Sequence, residues 1–398
     1  MTAPYISIIA GGAMGDVIND RTYGMLGTVG AGFDVVPAPG GGGGYAFCCD
    51  LTVDGQDSHG RLTSRSNGIY WDGPTETTAD SQWLTWDFLV EGTQTGDARI
   101  CYWCYANSDD PDAWWLKLRN SDKKLELMRG SATSWDIGNT ALETDRLYRA
   151  HALFWRTTSL CARLWIEGLG LEIEAPASGQ PGNCARWYLG EDLPDGVNRG
   201  VKVYFQNISL ISTATPTEDP GWPKVATLLV NGQGTYTDFT GTYAAVDEVP
   251  PNGDTDYVTT NTISKKESFT LQSCADAGIP ADATILGVCV RGWHRIELPD
   301  GKFNAPPFFK LGATEVDGFS VEPGLTYRNL EGDQSNAASL RRLDPDDADW
   351  TQTSVNALEI GVRTRDTDHD DTWLLSAMSL EVLYLEAAAA LRSFAQVI

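Results

Sequence analysis

Few side chains in this chain are spaced as reacting groups are. Glu172 and Glu174 stand two apart in the run LEIEA, so a strand there places both carboxylates on one face. A retaining glycoside hydrolase needs an acid and a nucleophile placed in that way. No third acid and no bed of aromatic rings accompanies them, and a solvated strand face is the preferred reading. His59, His151, His294 and His369 are isolated from one another, with no H-x-x-x-H, no G-x-S-x-G and no Cys/His quartet. Cys101 and Cys104 fall on opposite faces of an aromatic strand, which argues against a redox or zinc pair. Asp366, Asp368 and Asp370 have the alternation of a calcium loop but lack the glycine and the distal glutamate of an EF-hand. They read as an acidic hairpin loop, as does the run from Asp344 to Asp349. The glycines after Tyr5–Ala10 do not follow G-x-G-x-x-G, and no Gly-Lys-Ser/Thr follows the run at Pro37–Gly44. The expectation is therefore a protein that is not an enzyme, with no cofactor.

Binding is harder to set aside. The stretch from Leu147 to Ala177 holds three runs of alternation separated by short turns. Tyr148, Ala150, Ala152 and Phe154 share one face, continued by Leu160, Ala162, Leu164 and Ile166, and then by Leu171 and Ile173. The opposite face carries Arg149, His151, Trp155, Arg163 and Trp165. Indole rings beside arginines stack on sugar rings or anchor a protein interface. The competing reading is that loops of the same domain cover them.

These strands belong to a chain of 398 residues with 14 Trp, 14 Tyr, 12 Phe and 41 Gly, a mix that favours an all-β protein of more than one domain. The formal net charge of −25 repels phosphate backbones and anionic lipid, so neither nucleic acid nor a membrane is an expected partner. No apolar run is long enough to span a bilayer, and the N-terminus lacks the basic start of a secretory leader. The expectation is folding where the chain is made. The eight cysteines then read mostly as buried free thiols.

The strand signals order the chain as two β-sandwich domains in series. Residues 1–44 form an N-terminal Gly-rich arm and joint. Strand signals then run from 45 to 212. A Pro-rich linker at 213–224 precedes a second set at 225–386, and a short C-terminal helix is expected at 387–398, where Leu391, Phe394 and Ile398 share a face. An aromatic strand (SQWLTWDFLV), a pair around WWLKLRNSDKKLELM, the LYRAHALFW–LCARLWIEG hairpin and a closing VKVYFQNISLIS resemble the concanavalin A-like lectin/glucanase jelly roll. The laminin-G-like branch is the nearest, with Glu167–Gly168 at its acidic-Gly turn. The E-x-D-x-x-E string of that fold's glycosidases is absent. The resemblance implies room for one calcium ion at a rim, without placing it. Residues 222–386 resemble a β-sandwich module of tailed-bacteriophage virion proteins, through VDEVPPNGDTDYV, SFTL, IPADATILGVCVRG, ADWTQTSVNALEIGVRT and SLEVLYLE.

Taken together, the resemblances imply a non-enzymatic structural protein of a phage virion, made in the host cytoplasm. It would decorate the head or tail as a homo-oligomer in contact with other capsid or tail proteins. The alternative is a receptor-recognition protein that reads host-surface glycans with its lectin-like domain.

Overall fold

The computed structural model describes residues 5–10, 33–37, 45–52, 58–62, 81–104, 114–129, 133–156, 160–175, 186–191, 199–213, 215–248, 255–297, 305–318, 325, 327–330, 340–365 and 371–387. The fold is all-β, as expected. The Asp366–Asp370 loop and the expected C-terminal helix lie outside the described residues. Apart from Ile9 and Ala10, the described residues up to Trp222 form one compact unit and those from Pro223 onward a second.

The first unit has two antiparallel sheets. One runs Gly170–Ala175, Leu160–Ile166, Leu147–Arg156, Ser81–Gly92, Val201–Thr213, Tyr45–Asp50, Phe33–Pro37. The other runs Ser58–Leu62, Arg186–Glu191, Ala98–Cys104, Trp114–Leu118, Lys124–Arg129, Thr133–Ala141. Between them lies a core in which Ala152, Phe154, Ala162, Leu164 and Ile173 of the 147–177 meander surround a small apolar gap with Trp86, Cys101, Leu116 and Leu127. The alternation foreseen for the meander holds through Ile166, and Leu164 pairs with Ile173. A bulge then brings Leu171 opposite Trp165, and Leu171 stays exposed while Ile173 is buried. Five cysteines, Cys48, Cys101, Cys161, Cys274 and Cys289, are buried free thiols. Burial pushes the Cys101 thiol far up, so it stays protonated and unreactive.

The second unit is one sheet folded over on itself. Its pivot is the long strand Lys224–Thr237, which pairs through Leu229 with Trp373–Leu385 and from Val230 onward with Lys266–Leu271. The register breaks beside Gly232, where a Cβ would stand 2.7 Å from the Thr270 hydroxyl. Leu228, Val290, Leu380 and Val382 of one half meet Phe269, Phe309 and Ile360 of the other in a single core. Outside that core the second half grows a smaller one. Phe308, fully buried, lies against Gly361, its register partner. The Arg363 guanidinium sits 5.5 Å over its ring, and the Tyr236 ring meets it edge-on.

Two predictions follow from this packing. A methyl at position 361 would press on the Phe308 ring and on the Glu267 carbonyl. Gly361→Ala should cost about 3 kcal/mol, read as a lowered urea midpoint with an unchanged slope. Glu267 is 1% exposed and its carboxylate accepts the Phe239 N–H (2.8 Å) and the Gln233 amide, with no cation paired to it among the described residues. Burial pushes its carboxyl up to about 7, against those two bonds, and Asp238 adds to the rise. The unfolded chain therefore gives up this proton near the ordinary 4.5, while the folded chain keeps it to about 7. Stability from this group is full below about 4.5 and is lost as pH rises to about 7. Glu267→Gln should flatten that slope in urea titrations at pH 5 and pH 7.5; an unchanged slope would refute the assignment.

Candidate functional site

Period-2 alternation across four neighbouring strands assembles the outward face of the first sheet. Register sets Leu147, Arg149, His151, Leu153 and Trp155 against Leu89, Asp87, Thr85, Trp83 and Ser81. It also sets Trp165 and Arg163 against His151 and Leu153. Thr85 and Trp83 in turn oppose Ser209 and Ile211. All five residues singled out from sequence are therefore brought to one face, but they divide into a covered group and an open one.

The covered group centres on His151, which has no exposed surface. Its ring is stacked at 4.7 Å on Trp83 and lies 5.1 Å from Trp222. Its Nδ1 is 2.7 Å from the Thr85 hydroxyl, and its Nε2 is 3.1 Å from the Asp219 carboxylate. Burial works against the charge of Asp219, but the bonds from His151 and from the Gly221 N–H hold its carboxyl below the usual value. The ring is thus held from both ends, by the Thr85 hydroxyl at Nδ1 and by the Asp219 carboxylate at Nε2. Hydroxyl, imidazole and carboxylate in line are the parts of an acyl-transfer triad. Here Thr85 is 1% exposed, so its hydroxyl has no open approach for a substrate and the line is a clasp. Two residues before His151, Arg149 is also buried, its Nε 3.5 Å from Asp87, and Asp87 also takes the Asn207 amide. Asp219 and Trp222 come from the Pro-rich stretch, where no periodicity marked them.

The open group lies at the sheet edge. Trp155 and Trp165 are partly exposed, and Trp165 is 6.0 Å from Trp83 in a stacked arrangement. Arg163 lies 5.3 Å over the Trp155 ring. Its Nε and Nη2 reach one oxygen of Glu174, Oε1, at 2.8 and 2.7 Å. Glu172 does not share this environment. It is buried at 4% exposure and accepts the Thr140 N–H and hydroxyl at 2.9 and 2.7 Å, tying the Gly170–Ala175 edge to the Thr133–Ala141 edge of the other sheet. The solvated face read from LEIEA is thus corrected for Glu172, because the bulge beside it brings the carboxylate onto a neighbouring backbone. The same seam is closed again by Asp136, which takes the Glu174 N–H at 2.6 Å and the Ile137 N–H at 2.9 Å.

Metal and membrane chemistry find little support in the described residues. Among them no three His, Cys, Asp or Glu side chains converge as metal ligands do. The Asp344 carboxylate accepts the Asp346 and Ala348 N–H groups of its own turn. No helix among them is long and apolar enough to cross a membrane.

No protein-family model matches the chain, and no curated protein matches it in sequence. Among solved structures it is similar to an endo-β-1,4-glucuronan lyase from the fungus Trichoderma reesei, at 10% identity and a TM-score of 0.35, over 54% of this chain and 100% of that one. An alginate lyase from Aplysia kurodai overlaps at 9% identity and a TM-score of 0.37, over 52% and 100% of the two chains. A lectin from Bauhinia forficata, in complex with GalNAc, overlaps at 12% identity and a TM-score of 0.34, over 53% and 98%. At these values the overlaps establish neither family nor activity for this chain. They do correct one expectation. Two of the three structures are lyases, so a missing paired-glutamate motif is no ground for excluding an enzyme.

The clasp generates its own prediction. His151→Ala removes the ring between Trp83 and Trp222 and should cost about 2–4 kcal/mol. Amide exchange within 215–222 should rise sharply at the same time; unchanged protection there would show that His151 does not hold the segment.

Proposed function

We propose that the first unit binds carbohydrate at the edge formed by Trp155, Arg163, Trp165 and Glu174. The observation that carries this reading is the combination of two partly exposed indoles with a half-exposed Arg163–Glu174 pair on one sheet face. Indoles cover the C–H face of a pyranose, while guanidinium and carboxylate bond its hydroxyls. His151 and Arg149 play no direct part; their burial sets the sheet that holds the edge. The lectin and the two lyases that overlap this chain are in keeping with the reading but do not carry it.

A second reading places the chain on a tailed-phage particle as a decoration protein, made in the host cytoplasm and in contact with capsid or tail subunits. Its support is the resemblance of residues 222–386 to phage virion sandwiches, together with the acidic balance of −25, which would keep the protein off the packaged genome. The two readings are compatible, since a surface protein of a particle is well placed to meet glycans.

Calorimetry of the full chain against an oligosaccharide panel tests the first reading. Trp165→Ala should weaken a bound oligosaccharide about tenfold or more, equivalent to about 1.4 kcal/mol, with the thermal midpoint as a control for folding. Absence of any saturable binding by the unaltered chain would sink the carbohydrate reading.

A further inference from the structure

The charge state of this edge selects among carbohydrates. Resting on the reading of the edge as a glycan site, we propose that it takes neutral glycans with a pair of adjacent hydroxyls and refuses uronic, sialic and sulfated ones.

Three observations support this. First, Arg163 is half-exposed, at 42%, yet its charge is spent on Glu174, itself 49% exposed, through two bonds to a single oxygen. An anionic sugar is held by a cation whose charge is not already balanced. Second, the other arginine of the face, Arg149, is buried against Asp87 and cannot turn outward to help. Third, Asp136 stands directly behind Glu174, its carboxylate on the Glu174 N–H, in a chain of net charge −25. The local field therefore opposes a carboxylate or sulfate ligand.

The same geometry is suited to hydroxyls. Both contacts of the pair use Oε1, which leaves Glu174 Oε2 and Arg163 Nη1 without partners among the described residues. One acceptor and one donor of the pair thus remain for the hydroxyls of a ligand. Each hydroxyl of a vicinal diol both donates and accepts, so two neighbouring hydroxyls satisfy the pair together without disturbing its internal bonds. The adjacent partly exposed indole then covers the ring's apolar face.

The test uses the full chain with neutral probes (a mannan and a β-glucan) and anionic ones (a polyuronate and a sialylated oligosaccharide). The unaltered chain should bind at least one neutral probe, with an affinity that changes less than about twofold between low and high salt, because no net charge is neutralised on binding. It should bind neither anionic probe. Glu174→Gln keeps the shape but frees the arginine charge. It should weaken neutral binding several-fold and create salt-sensitive anionic binding. Arg163→Gln, a variant without either charge gain, should lose neutral binding and gain none for anions, which guards against misreading a folding defect in the first variant. Anionic binding by the unaltered chain equal to or above neutral binding would overturn the selectivity, as would Glu174→Gln leaving the preference unchanged. If no probe binds at all, the site itself fails. If probes bind but Trp165→Ala is without effect, binding lies elsewhere, and both that reading and this inference fall.

Discussion

The central strands of both units are buried on both faces, and this constrains the polar groups they carry. Ser81–Gly92 is sealed from Ser81 to Val90, and Trp373–Leu385 from Trp373 to Tyr384. One face of each is the apolar core. Whatever polar groups the other face carries must find partners on adjacent strands, because an unpaired buried charge or hydroxyl is far costlier than a paired one. The pairs that result are local. Thr85 meets His151, Asp87 meets Arg149 and Asn207, Arg291 meets Glu381 at 2.8 and 2.7 Å, and the Trp373 indole N–H donates to His294 at 3.1 Å. Such pairs contribute less to net stability than to register, since a slip of one residue would bury each partner alone.

This constraint also explains why the outward face of the meander divides as it does. Toward the centre of the sheet Thr85, Asp87, Arg149 and His151 are drawn into sealed partnerships. Toward the Gly170–Ala175 edge, Arg163, Glu174 and the indoles of Trp155 and Trp165 keep solvent contact. The glycan edge proposed for this sheet therefore lies at its margin, and its chemistry is that of a pair already neutral.

Much of this was legible from residues alone where one face was apolar and the other was not. The meander's inward face, from Tyr148 to Leu164, follows from strict alternation. The same rule failed at Leu171, because a bulge is invisible to a pattern of period two. In Ser81–Gly92 the alternation of Trp83, Thr85 and Asp87 with Leu84, Trp86 and Phe88 was blurred by apolar residues on both sides, so its outward face drew no attention. Asp219 and Trp222 lay in a proline-rich run with no period to read. The Thr133–Ala141 strand was not foreseen either. Asp136, Gly138 and Asn139 disfavour a strand, and pairing with Lys124–Arg129 together with the Glu172 carboxylate supplies what propensity does not.

The seam between the Gly170–Ala175 and Thr133–Ala141 edges has a further consequence for how the molecule behaves in company. An open sheet margin offers rows of backbone donors to any extended segment that drifts by. Here Glu172 occupies the Thr140 donor, while Asp136 occupies those of Glu174 and Ile137. Acidic side chains thus fill sticky positions that an incoming strand would need, and a visiting segment must first displace a carboxylate. At this margin the protein guards against strand addition with hydrogen bonds from its own carboxylates.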